Sequence, residues 1–515
     1  MQFTTLTLQI VIATILSSIT QALDTYDYII VGAGTSGLVL ANRLSEDASI
    51  TVAVIEPGTD QRNNPLVADP TKFGQAFGTD IDWQYRIPAE PGAADRMTYI
   101  RGEAASIDAW ESLENTNWTW ATLLPYYKKS ENYTTPTATQ LAAGVTYRSE
   151  CHGFDGHVRV GYTPELRNGS FSSPVLGAWN EIGLPHNPDL NSGVLRGFGM
   201  GPQTLDVETM TRWDAARAYY LPIEGRPNVE ILRGAVSRIG WSTKRRGGRL
   251  LAEGVHFVDD SNTTQTLLAR KEIVLSAGTI RTPLILESSG IGNSHVLTSL
   301  GIETVVDLPG VGENLIGQPG HQFTYSGTLD PAANAYHSFV DVADIYGNDT
   351  HSIEVSTSHQ LSTWAQETAD ASPLGAPNAR SITKLLQVQH NLLFEQKAAA
   401  AEILTIVLDD ILLSQYWILQ PFSRGSVHLR SAKAIDEPLI NPRFFSVDLD
   451  LASAIKTGKL VRRFWNTAPI VGNVGGILAP SLEVLPENAT DSQWENYLKA
   501  TRECTLRFAR LGQRN

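Results

Sequence analysis

Residues Tyr28-Ile29-Ile30-Val31 are apolar without a break, and a second apolar run over 51–55 ends on Glu56. Runs that do not alternate read as strands buried on both faces, the pattern of a parallel sheet. Between them, residues 36–45 space their apolar positions as a helix does, so the chain opens as strand, helix, strand. Farther on the period changes. Residues 228–232, 236–239, 250–257 and 266–275 alternate, with polar turns at 244–248 and 259–264, which predicts an antiparallel meander. Its last strand runs into Ser276-Ala277-Gly278, small residues that let a ligand or a backbone come close. Residues 110–130 read as a helix pair, with Trp118, Trp120, Leu123, Leu124, Tyr126 and Tyr127 expected as aromatic core. Pro, Gly and Asp punctuate 57–94, a loop region of the kind that covers a ligand. Ser, Thr, Ala and Pro dominate 356–379, expected as a mobile loop or lid. Residues 396–413, rich in Ala, Leu and Ile, are expected as a helix, and 420–429 as a strand. No internal repeat is visible, which argues against a solenoid or propeller.

The first turn carries the chemistry. Gly32-Ala33-Gly34-Thr35-Ser36-Gly37 follows the first strand and opens the helix, and an acid, Glu56, stands about twenty residues on. That is the context in which a Gly-x-Gly-x-x-Gly stretch binds a dinucleotide. Gly32 permits the tight turn, Gly34 lets the backbone approach a pyrophosphate, and Gly37 lets the helix pack close to the strand. Thr35 and Ser36 sit where the helix N-terminus offers free N–H groups and a positive dipole end to phosphate. Glu56 is placed to accept hydrogen bonds from ribose hydroxyls, which favours an unphosphorylated adenosine ribose.

Length and charge narrow the rest. At 515 residues the chain is too long for one core, so two interleaved domains are expected. A formal charge of −14, with Lys244-Arg245-Arg246 as its only basic run, argues against a nucleic-acid partner. Residues 1–22 have an apolar stretch followed by small and hydroxyl residues, and read as a secretory signal without the usual basic start; a buried N-terminal helix is the alternative. No other stretch is long and apolar enough for a membrane span. Sequons at Asn117, Asn132, Asn168, Asn262, Asn348 and Asn488 suit a secreted glycoprotein. The two thiols, Cys151 and Cys504, are too few for a disulfide framework and are expected free and buried. Cys151, His152, Asp155 and His157 match no metal-ligand spacing, so no metal is expected.

A second motif joins the first. Gly278-Thr279-Ile280-Arg281-Thr282-Pro283 leads to Ser289-Gly290-Ile291-Gly292; with the N-terminal fingerprint it closely resembles the glucose-methanol-choline (GMC) oxidoreductases. Leu308-Pro309-Gly310-Val311-Gly312-Glu313-Asn314-Leu315, the 420–429 segment, and Tyr99-Ile100-Arg101-Gly102 leading to Asp108-Ala109-Trp110 agree, so the resemblance runs from Tyr26 to about Ala500. It is strongest to fungal aryl-alcohol-oxidase-like members, some of which serve secondary metabolism. The resemblance implies an α/β protein (α+β overall), with a Rossmann-like FAD-binding domain interleaved with a sheet-plus-helix substrate domain. It implies divisions at 23–323, 324–419 and 420–515. It also implies FAD as cofactor and a small-molecule alcohol as substrate, oxidised by hydride transfer. Tyr99, Val236, Ala277 and Gly278 join the glycine turn and Glu56 as its cofactor residues.

Two departures from the family pattern matter. The family's Gly-Gly-Ser-Ser loop, which wraps the flavin, is expected after Arg101-Gly102, but Glu103-Ala104-Ala105-Ser106 follows. The family's C-terminal His-Pro-x-Gly-Thr strand has no counterpart, and no His follows His428. Alcohol oxidation needs a base near the hydroxyl proton; His152, His157 and His321 sit near turns and are expected in local hydrogen bonds instead, and the resemblance implies that His428 stands on a strand where the family has a His or similar residue with no catalytic role. The catalytic residues are therefore unassigned. Two readings stay open: a flavin-dependent alcohol oxidoreductase, and a truncated pseudoenzyme with weak or no flavin binding.

Overall fold

Strand β1 (Thr25–Val31) passes through the turn at Gly32 into helix α1 (Thr35–Leu44) and returns as β2 (Val52–Glu56), parallel to β1. The computed structural model describes residues 24–72, 74–85, 98–166, 171–243, 247–327, 329, 335–372, 378–408, 410–501 and 503–504. Residues 1–22, expected as a secretory signal, and the sequon at Asn168 lie outside them. Ile29, Ile30 and Val52 to Ile55 are all buried, as a strand covered on both faces must be. The turn works only with glycine: at φ +102°, a Cβ on Gly32 would stand 2.6 Å from the Ser276 carbonyl oxygen. A Cβ on Gly37 would stand 2.0 Å from the Gly32 oxygen, so the helix could not sit so close to the strand.

Helices α2 (Ala104–Ser112) and α3 (Trp120–Ser130) follow. The expected aromatic core is absent here: Trp110 and Trp118 are each 53% exposed and Tyr126 is 68% exposed. These rings pack along the surface, Trp110 on Trp118 at 5.9 Å, because the helix pair lies on the outside of the molecule rather than between layers.

Strands β3 (Val229–Arg233), β4 (Ala235–Trp241), β5 (Ala252–Val258) and β6 (Thr264–Leu275) complete a six-stranded sheet in the order β3-β2-β1-β6-β5-β4. Strands β4, β5 and β6 form the expected antiparallel meander. β3 does not join it but pairs parallel to β2, because alternation identifies a strand without naming its neighbour. Helix α4 (Gly278–Ser288) begins where β6 ends.

A second sheet stands beyond it. Strand β7 (Pro319–Gly327) leads to β8 (Tyr336–Val340) and to the helices α5 (Thr350–Ala371) and α6 (Ala379–Phe394). The expected lid over 356–379 is therefore mostly helix. Thr357, Leu361, Ala365 and Thr368 bury one stripe of α5, with small hydroxyl residues standing in for apolar ones. The expected helix over 396–413 is a hairpin, β9 (Ala401–Leu408) and β10 (Ile411–Ile418). Ile403, Ile406, Val407 and Leu412 are buried, and β-branched side chains covered on both faces favour strand. Of the expected strand 420–429, β11 (Ser426–His428) pairs with Leu439–Asn441, and Gly425 just before it forms a single bridge to Leu315. Helices α7 (Asp448–Trp465) and α8 (Asp491–Thr501) flank strand β12 (Val474–Ala479) in sequence. The seven-stranded sheet runs β12-β7-β10-β9-β8 and then strand Gly197–Met200, with residues Glu503–Cys504 also on β7. The core on its helix-covered face holds Phe323, Tyr416, Phe464, Trp465 and Trp494; the Trp465 ring N–H donates to Ser414 at 3.0 Å.

Candidate cofactor-binding site

A cavity of about 210 Å³ opens at the carboxyl ends of β1 and β2, where open α/β sheets bind their ligands. Val31, Gly32 and Gly34 form one side; Ala235, Val236 and Ile285 form an apolar wall; Ser276 and Ala277 close the back. Glu56 and Pro57 stand at the end of β2. Helix α1 presents its N-terminus to this space without a side-chain cap and without an acid in its first turn. Gly34 is extended there (φ −77°, ψ −171°), and Thr35 and Ser36 are exposed. Uncapped first-turn N–H groups, with the positive end of the helix dipole behind them, attract phosphate.

Glu56 ties the walls together. One carboxylate oxygen accepts from the Ala33 N–H at 2.9 Å and the other from the Gly58 N–H at 2.7 Å. These contacts fix the orientation of the carboxylate at the end of β2.

The opposite wall was not legible beforehand. Trp83 stacks on Tyr85 at 5.6 Å, and the Arg281 guanidinium lies 4.7 Å from the Trp83 ring centroid. Arg281 Nε donates to the Tyr85 hydroxyl at 2.7 Å, and Nη1 donates to the Ala434 carbonyl at 2.5 Å. Arg281 stood within the second motif, its role unmarked by any pattern. Trp83 comes from the loop region, where no period marks a residue.

Of the sequence-derived residues, Gly32, Gly34, Glu56, Val236 and Ala277 line the cavity together. Thr35 and Ser36 stand at the helix mouth, Gly37 packs behind the turn, and Gly278 (φ +77°) starts α4 beside Ala277. Tyr99 is elsewhere. It packs on the large core beneath Arg101, whose guanidinium lies 5.9 Å from its ring, and burial pushes its hydroxyl up to about 12.

Arg101 anchors a buried ionic chain. It donates to Glu131 at 2.7 Å and to the Cys151 carbonyl at 2.6 Å. His152 stands between Glu131 at 2.9 Å and Asp189 at 3.0 Å, stacked on Tyr133 at 3.8 Å. Burial opposes charge on His152, but its bonds to Asp189 and Glu131 outweigh that and raise its pKa above the ordinary value. Cys151 is a free thiol, partly exposed rather than buried.

His428 repeats the arrangement on β11, 2.6 Å from Glu287 and 3.2 Å from Glu313. Here too burial opposes protonation, and the Glu287 and Glu313 bonds still lift the pKa to about 9. His321 departs from expectation. It lies inside the second sheet, against Phe445 and Tyr416, with no hydrogen bond at either ring nitrogen, and burial pushes it down to about 3. His337 pairs with Glu402 at 2.8 Å across β8 and β9. Among the described residues no group of three His, Cys, Asp or Glu side chains is arranged to hold a metal, and no helix is long and apolar enough to cross a membrane.

The residues present fit the adenosine diphosphate half of a dinucleotide: an apolar wall for the base, an oriented acid for the diol, and an uncapped helix for the phosphates. Comparison with known proteins agrees. The GMC oxidoreductase N-terminal family model matches residues 93–320 and the C-terminal one residues 421–507. A glucose oxidase-like protein of Humicola fuscoatra is 50% identical over 93% of this chain and 85% of its own. The glucose oxidase of Penicillium chrysogenum is 32% identical over 92% and 81%. Among solved structures, an FAD-dependent oxidoreductase from Chaetomium thermophilum superposes with a TM-score of 0.79 at 27% identity, covering 92% of this chain and 87% of that one. A fungal aryl-alcohol oxidase, at TM-score 0.75 and 22% identity over 94% and 88%, shares the fold. With a Rossmann-like α/β fold joined to a second sheet and relatives alike over nearly its whole length, the chain belongs to the GMC oxidoreductases, FAD-dependent enzymes.

Proposed function

We propose that this chain oxidises a CH–OH group of a small-molecule alcohol or sugar, with FAD held by its adenosine diphosphate half in the cavity beside β1 and β2. The observation that carries this reading is the convergence of Gly32, Gly34, Glu56, Val236 and Ala277 on one cavity. FAD, when bound, supplies the two-electron acceptor for the hydride of the carbinol carbon. The chain's own part is positional. The first turn of α1 binds the pyrophosphate, Glu56 takes the ribose hydroxyls, and Val236 with Ala235 receives the adenine against an apolar surface. Trp83 and Arg281 close the opposite side and keep water from it. A sugar joins the substrate class because the relatives at 50% and 32% identity carry the names glucose oxidase-like protein and glucose oxidase. The reading includes secretory passage, supported by the apolar segment 1–22 and the sequons.

One observation favours a second reading, a fold that holds flavin weakly or not at all. Helix α2 begins at Ala104, two residues after Gly102, where the resemblance expects the flavin-wrapping loop. The absorbance of purified protein separates the two. Bound oxidised flavin that bleaches on anaerobic addition of glucose or an aromatic primary alcohol supports the first; colourless protein that takes up no added FAD supports the second.

A further inference from the structure

Two indoles on the surface need an account. Trp110, at the end of α2, and Trp118, just before α3, stack at 5.9 Å with 23° between their planes, and each is half exposed. An aromatic pair left in water forgoes the burial that normally stabilises such rings. Asn117 stands directly beside them. It is exposed, held at φ +68°, and its N–H donates to Glu111 at 3.2 Å, so it projects from the short turn joining the helices. The sequence Asn117-Trp118-Thr119 is a sequon, and its middle residue is one of the stacked rings.

We infer that Asn117 carries an N-linked glycan whose first sugars lie on the Trp110–Trp118 pair. The inference rests on the secretory passage proposed above. The Asn117 amide nitrogen forms a bond to C1 of N-acetylglucosamine; the bond from C1 to a lipid-linked diphosphate breaks, and the diphosphate leaves as the amide proton is given up. Sugar C–H groups carry slight positive charge and meet the negative face of an indole favourably. The occupant is thus tethered to the patch it covers. Position separates this sequon from Asn132, which lies within strand Glu131–Tyr133 between two buried side chains and is itself only partly exposed, where Asn117 is exposed on a turn. Asn262, Asn348 and Asn488 are exposed but carry no comparable ring pair among the described residues.

The test uses the full chain secreted from a fungal host, with glycopeptide mass spectrometry and tryptophan quenching by acrylamide before and after enzymatic deglycosylation. The expected result is an occupied Asn117, a bare Asn132, and a rise in quenching on deglycosylation that disappears when both Trp110→Phe and Trp118→Phe are present. Asn117→Asp, which keeps a residue that tolerates positive φ, should show the raised quenching from the start. Glycans at Asn262, Asn348 or Asn488 with a bare Asn117 would overturn the inference and leave secretory passage standing. An occupied Asn117 with unchanged quenching would overturn the stacking. No glycan anywhere would overturn secretory passage and the inference together.

Discussion

His428 Nδ1 stands 2.6 Å from Glu287 Oε1, joining strand β11 to the last turn of helix α4 across 141 positions of sequence. The other Glu287 oxygen accepts from the Leu429 N–H at 2.8 Å, and Glu313 meets the far side of the imidazole at 3.2 Å. The helix that begins beside the cavity is thereby fastened to the C-terminal part of the chain.

A pH dependence follows from that bond. The folded pKa of His428 is raised to about 9 against an ordinary 6.5, so its contribution to stability is complete below about pH 6.5 and is lost as pH rises through 9. A shift of that size corresponds to about 3 kcal/mol. Urea midpoints measured across this window should fall more steeply for the parent than for His428→Gln, which keeps the dependence contributed by His152. Equal slopes for both proteins would remove the ion pair from the account.

Glu131 serves both the buried Arg101 guanidinium and the His152 imidazole, and also accepts from the Gly153 N–H at 2.8 Å. Glu131→Gln leaves the Arg101 guanidinium without its carboxylate, and such a loss costs about 3–5 kcal/mol. The expected outcome is a much lower chemical-denaturation midpoint, with a smaller loss for an exposed pair such as Lys499–Glu495, worth about 0.3–0.5 kcal/mol.

The parts of this molecule visible in its sequence are those where local pattern and required geometry coincide. Gly32 and Gly37 were readable because only glycine fits where Ser276 and the Gly32 carbonyl press in. Glu56 was readable from its spacing. Trp83 and Arg281 were not, because the cavity wall they build is assembled by tertiary packing from a loop and the first turns of a helix. The hairpin β9–β10 and helix α5 were misread for a related reason. Both contradict their composition, and burial on the second sheet and along the Thr357–Leu361–Ala365 stripe decides them. The Trp110–Trp118 pair shows the converse, an apolar pattern that faces solvent.

The short connection after Gly102 is open to direct engineering. Glu103 accepts from the Ala399 N–H at 2.8 Å, so the start of α2 is tied to the loop that leads into β9. Inserting Gly-Gly-Ser-Ser between Gly102 and Glu103 should raise the fraction of chains that retain FAD through gel filtration. Unchanged retention would mean the shortened loop has no bearing on flavin binding.

The most direct test of the account is FAD content per folded chain, compared between the parent and Gly34→Val. Gly34 has an ordinary φ of −77°, so valine is compatible with the backbone while its side chain enters the space meant for the pyrophosphate. The account predicts flavin absorbance in the parent, and a variant with the same far-ultraviolet circular dichroism and no flavin. A parent that takes up no FAD, or a variant that holds as much as the parent, would contradict it.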